Sequence, residues 1–160
     1  MLDVKPLSQR DPRWATKKLG FSTYSIGSKG CTITAFTILV NYVYGANYGV
    51  DEVNEKLKEF QAFAKDMNGQ RSLLIWSLAA KAYPKLKWIY RDYNYNNSKV
   101  WWYVNIHKIP VCVEVNAWAI GAPKHWVLYL GSQKMADPWT GKIEATSKYP
   151  ATGDALYQRA

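Results

Sequence analysis

An α+β fold follows from the order in which two kinds of pattern run along the chain. Helical apolar spacing dominates the earlier part, and short β-branched or aromatic runs separated by turn formers dominate the later part. Helices therefore pack on an antiparallel sheet and do not alternate with parallel strands. At 160 residues and 48% hydrophobic content, the chain suits one domain, residues 1–160, and is too short for two.

The first thirty residues read as coil, punctuated by Pro6, Pro12, Gly20, Gly27 and Gly30. A helix then runs from Cys31 to Tyr44. Its apolar residues, among them Ile33, Phe36, Leu39 and Val43, crowd most of the surface, which predicts a buried central helix that Gly45 ends. Residues 50–63 read as an ordinary surface helix, with Val53, Leu57 and Phe60 on one stripe. A third helix is expected over 71–82, stopped before Pro84, then a short strand over 87–90. A fourth is expected over 98–108, capped by Asn97 or Ser98. Strands are expected over 111–115, 125–130 and 133–136, divided by Gly121-Ala-Pro and Gly131-Ser.

The excess of 21 Lys and Arg over 12 Asp and Glu gives a formal charge of +9 and favours anionic surfaces, including cell-wall polymers. The basic residues are dispersed and form no block, so a nucleic-acid function is not expected. The N-terminus lacks the apolar core of a secretory signal, and no apolar run approaches the ~18 residues of a membrane span. The expectation is a soluble protein, cytoplasmic as synthesised, which would reach the outside by lysis or as part of a phage particle or larger protein. Two cysteines make no disulfide framework, and no Cys/His spacing suits zinc.

Cys31 stands where the first turn of a helix lowers thiol pKa, and Gly30 before it would leave room for substrate. The plain alternative is a small buried side chain, the reading preferred for Cys112. Thiolate chemistry needs a base that can later protonate a leaving amine, a task for histidine. Of the two histidines, His107 closes a helix and reads as a cap or an exposed residue. His125 opens the run Trp126-Val-Leu-Tyr-Leu at a strand rim. A carboxylate that orients it is available in Asp137, although Asp-Pro is also a common turn starter. A strict two-residue hairpin at Gly131-Ser132 would set Asp137 opposite Trp126, on the wrong face for His125. The three residues can therefore meet only if the connection carries an extra residue or a bulge.

Leu7-Ser-Gln-Arg-Asp-Pro-Arg-Trp14, Gly30-Cys-Thr-Ile-Thr34, Lys124-His-Trp-Val-Leu-Tyr129 and Asp137-Pro-Trp-Thr-Gly141 together resemble the papain-superfamily group related to bacteriocin-processing peptidases, in a stand-alone form. Order and spacing agree: Gln9 precedes Cys31 by 22 residues, His125 follows it by 94, and Asp137 follows His125 by 12. The resemblance implies a papain-like fold, with a helical half bearing Cys31 packed on an antiparallel half bearing His125 and Asp137. It also implies a cysteine peptidase without cofactor or metal, and Gln9 as an oxyanion donor. Peptide is the expected substrate, with bacterial cell-wall crosslinks suited to the charge and size. A catalytically silent peptide- or glycan-binding module and an acyltransferase using the same residues are the alternatives. Trp126 and Trp139 are expected as cleft walls shielding the ion pair. Trp101 and Trp102 point in different directions on one helix, so only one of them is expected to pack deeply.

Overall fold

The computed structural model describes residues 1–160. Its elements, in chain order, are α1 (Ile26–Lys29), α2 (Cys31–Tyr44), α3 (Val50–Glu59), β1 (Phe63–Lys65), β2 (Arg71–Leu74), α4 (Trp76–Ala82), β3 (Leu86–Asp92), α5 (Asn97–Asn105), β4 (Val111–Ala117), β5 (Ala122–Gly131), β6 (Lys134–Asp137), β7 (Lys142–Ala145) and β8 (Ala151–Arg159). This is an α+β architecture. Six strands form an antiparallel sheet in the order β3-β8-β4-β5-β6-β7, and β1 and β2 make a separate ribbon.

The sheet is covered on both faces. Alternate residues Cys112, Leu128 and Leu130 join Phe36, Leu39 and Leu57 in a core of 28 buried residues on the α2 side. The intervening residues Val113, Val115 and Val127 meet Val100 and Val104 of α5 in a second cluster of 10. Each large aliphatic side chain so enclosed contributes about 1.5–3 kcal/mol by leaving water. No helix is long and apolar enough to cross a membrane.

Helix α2 matches its expected bounds and is as buried as its composition predicts. Thr34 and Thr37 tolerate that burial by donating their hydroxyls to the carbonyls of Gly30 and Ile33, both at 2.7 Å. Gly45, at φ 62°, ends it in the left-handed conformation. Just upstream, the expected coil contains the short helix α1, whose end runs directly into α2 at Gly30. Gly30 itself has φ −86°, open to any residue, but a Cβ there would collide with the Ile26 carbonyl oxygen and lie 2.7 Å from Ile26 Cγ2. Glycine is needed at this position to seat α1 against α2.

Four other expectations are corrected. The helix expected over 71–82 is divided, because Arg71–Leu74 pairs with β1 while Arg71 also stacks on Phe21 and donates to the Phe63 carbonyl; tertiary partners override local helical spacing. The surface helix stops at Glu59, not residue 63, since Gln61 takes φ 53° and Phe63 enters β1. The cap of α5 is Asn96, accepting from the Lys99 amide, and the helix ends at Asn105. Trp101 and Trp102 are both exposed, at 55% and 51%, so neither packs deeply.

The sequence reading missed the central strand β8. Glycine at 153 lets β3 come close: a Cβ would meet Asp92 O at 2.7 Å.

If Gly30 is required for packing, Gly30→Ala will destabilise the fold by about 1–3 kcal/mol. Urea unfolding monitored by circular dichroism checks this, and an unchanged midpoint would show that the α1–α2 junction can yield.

Candidate functional site

Three elements converge on one point: the N-terminus of α2, the early part of β5 and the end of β6. The β5–β6 connection decides whether His125 and Asp137 can meet. Tyr129 pairs with Met135, but Gly131 pairs with Lys134, so Leu130 is an extra residue and the strand bulges. Gly131, Ser132 and Gln133 take φ of 86°, 53° and 56° to close the turn. Beyond the bulge Leu128 faces Ala136, which sets Asp137 level with Val127, on the same face as His125. This is the irregularity that the sequence argument required.

The outcome is a bond of 2.8 Å between His125 Nε2 and Asp137 Oδ1 with both side chains buried, at 3% and 0% exposure. The Asp137 bond leaves the second imidazole nitrogen, Nδ1, free, and the half-buried Cys31 lies close enough to the ring for each to shift the other's proton affinity. The Trp126 backbone amide and the Thr32 hydroxyl also face the sulfur.

Burial by itself would raise the Cys31 pKa; the His125 bond and charge outweigh it and bring the thiol below its ordinary value. Burial would likewise depress His125, but bonds to Asp137 and Cys31 lift it to about 9. Asp137 is brought down to about 2, because His125, the Trp139 amide and Tyr149 outweigh desolvation. Cys112 shows the contrast: fully buried without a partner, its thiol is pushed up.

Asp137 accepts from more groups than the sequence reveals. The Trp139 amide donates to Oδ1 at 2.9 Å, and the Tyr149 hydroxyl and Lys148 ammonium donate to Oδ2 at 2.9 and 3.3 Å. Lys148 also pairs with Glu144 at 2.6 Å. The Tyr149 ring stands edge-on to His125, with centroids 5.8 Å apart. Lys148 and Tyr149 carry no motif. Their only signal is position, just ahead of strand β8.

Gln9 is buried at 2%, its backbone amide held by the Pro138 carbonyl at 2.8 Å. Its side-chain Nε2 donates to Gly27 O at 3.0 Å, four residues before Cys31, which leaves a second N–H; Oε1 has no partner. Trp126 and Trp139 do not have the positions expected of walls over the ion pair. Trp126 alternates to the other face of β5, where its indole lies 4.9 Å from Trp76 and beneath the Arg91 guanidinium. The Trp139 ring lies under Arg10, and its amide is the part that touches Asp137. His107 is exposed, accepting from Trp102 Nε1 at 2.9 Å and stacking on Tyr103. No group of three His, Cys, Asp or Glu side chains is placed to hold a metal ion.

No family, curated protein or solved structure matches this chain.

The shifts fix a pH dependence. A histidine raised from 6.5 contributes stability that is complete below pH 6.5 and lost as pH rises through about 9. A lowered thiol works oppositely, adding stability as pH rises through its folded value, so the two offset in the wild type. In Cys31→Ala, where Asp137 is the remaining partner that raises His125, unfolding free energy should fall as pH rises above 6.5. In Cys31→Ala/His125→Gln that slope should vanish. Equal slopes in the two variants would contradict the assignment.

Proposed function

We propose that the protein is a papain-like cysteine hydrolase that cleaves amide bonds through a thioester acyl-enzyme. The observation that carries this reading is the continuous line from Cys31, at the first turn of α2, through His125 to the buried Asp137 carboxylate. A histidine held in one tautomer by a carboxylate, beside a thiol shifted toward thiolate, is what acyl transfer to sulfur requires.

In the proposed cycle His125 Nδ1 takes the Cys31 proton and the sulfur attacks the substrate carbonyl carbon. The oxyanion accepts from the Cys31 backbone N–H and from the free N–H of Gln9, each such donor being worth about 10²–10³ in rate. Collapse breaks the C–N bond as the imidazolium gives its proton to the departing amine. Water, deprotonated by His125, then attacks the thioester, releasing a carboxylic acid and restoring the thiol. Asp137 stays ionised throughout and stabilises the imidazolium, while Tyr149 and Lys148 keep the carboxylate from rotating away. The net charge of +9 favours an anionic substrate matrix, and we take the substrate to be the peptide of the bacterial cell wall.

Purified protein incubated with bacterial sacculi should release new amino termini. Cys31→Ser should lower the rate at least about 10³-fold, as loss of an activated nucleophile does. Release unaffected by Cys31→Ser would overturn the hydrolase reading. Cleavage of casein with sacculi untouched would overturn the wall substrate alone.

A further inference from the structure

On the α5 side of the sheet lies a groove of about 690 Å³, within the range of small-ligand sites. Its floor is Val100 and Val104, both 3% exposed. Its walls are aromatic: Trp101, 55% exposed, and the rings of Tyr95 and Tyr129, set edge to face with centroids 6.0 Å apart. Carboxamides ring it. Asn97 accepts the Tyr95 hydroxyl through Oδ1 at 3.1 Å, which leaves its NH₂, and Asn105 donates Nδ2 to the Trp101 carbonyl at 2.9 Å, which leaves its oxygen. Lys134 is the only charged side chain in the lining.

We propose that this groove binds an N-acetylated oligosaccharide. Flat indole and phenol faces match the apolar C–H faces of pyranose rings, and amides and hydroxyls match their equatorial polar groups. An acetamido substituent fits a place where free carboxamide donors and acceptors stand over a valine floor, because its amide pairs above while its methyl is buried below. A phosphorylated or polyanionic ligand would call for more cations than Lys134 and the Met1 ammonium, which donates to Ser132 Oγ at 3.0 Å. An extended peptide would add to an open strand edge, and β5 and β6, the strands that line the groove, are each paired on both sides.

The site is separate from the Cys31 chemistry and does not depend on it, but the two are neighbours. Tyr149 lines the groove and donates its hydroxyl to Asp137. A saccharide held here would lie one tyrosine ring from the candidate triad, an arrangement suited to substrate peptides carried on a glycan.

The test uses the full chain as Cys31→Ser, so that no turnover intervenes, titrated with a β-1,4 tetramer of N-acetylglucosamine and followed by NMR amide shifts. Saturable binding centred on α5 and the β5–β6 turn is expected. Trp101→Ala should weaken it at least about tenfold, as loss of an aromatic anchor does. Trp102→Ala, equally exposed but outside the groove, should leave it unchanged. No saturable shift in this region, equal weakening by both substitutions, or equal affinity for the unacetylated glucose tetramer would each overturn the proposal. Sacculus cleavage is read separately on the wild type, so the two readings can fail independently.

Discussion

A carboxylate with no access to water survives as an anion only if the protein supplies the donors that water would have given it, and Asp137 is such a group. Its partners come from widely separated parts of the chain: His125 on β5, the Trp139 amide just past β6, and Lys148 and Tyr149 on the approach to β8. The N-terminal segment reaches the same place, with Gln9 tied to Pro138. Removing one partner from a buried charge is costly in a way that removing a surface ion pair is not, so these segments are held in mutual register.

The consequence spreads along the sheet. Asp137 reaches the face of His125 only because the β5–β6 turn carries an extra residue, and that turn is built from three consecutive residues at positive φ, two of them not glycine. With the carboxylate in place, His125 is lifted to about 9 and can hold a proton opposite a sulfur. The sulfur in turn is fixed by packing behind it, where Gly30 lets α1 abut α2 so that Cys31 opens the helix beside the rim of β5. Site geometry and core packing are thus one problem here.

Much of this was legible in the residues. The buried helix α2 was visible because nearly every position is apolar or small, and the α+β class because strand-like runs follow helical ones. The juxtaposition of His125 and Asp137 is a register question that the sequence itself poses, since side chains alternate with period two. Partners that act through tertiary approach were not legible. Tyr149 and Lys148 stand in no motif, Gly153 marks a close contact with β3, and Arg71–Leu74 is a strand only because β1 lies beside it. Trp126 shows a subtler limit: it neighbours His125 in sequence, but alternation turns its indole to the other face and leaves its backbone amide facing the sulfur.

The proposed cycle depends on a thiolate–imidazolium pair between Cys31 and His125, and the rate of iodoacetamide alkylation of Cys31 against pH, followed by mass spectrometry in wild type and His125→Ala, reports on that pair. Reaction well below the ordinary thiol range of about 8.5 is expected, with that advantage lost when His125 is removed. A Cys31 that titrates as a free thiol in both proteins, or that is unreactive in both, would contradict it.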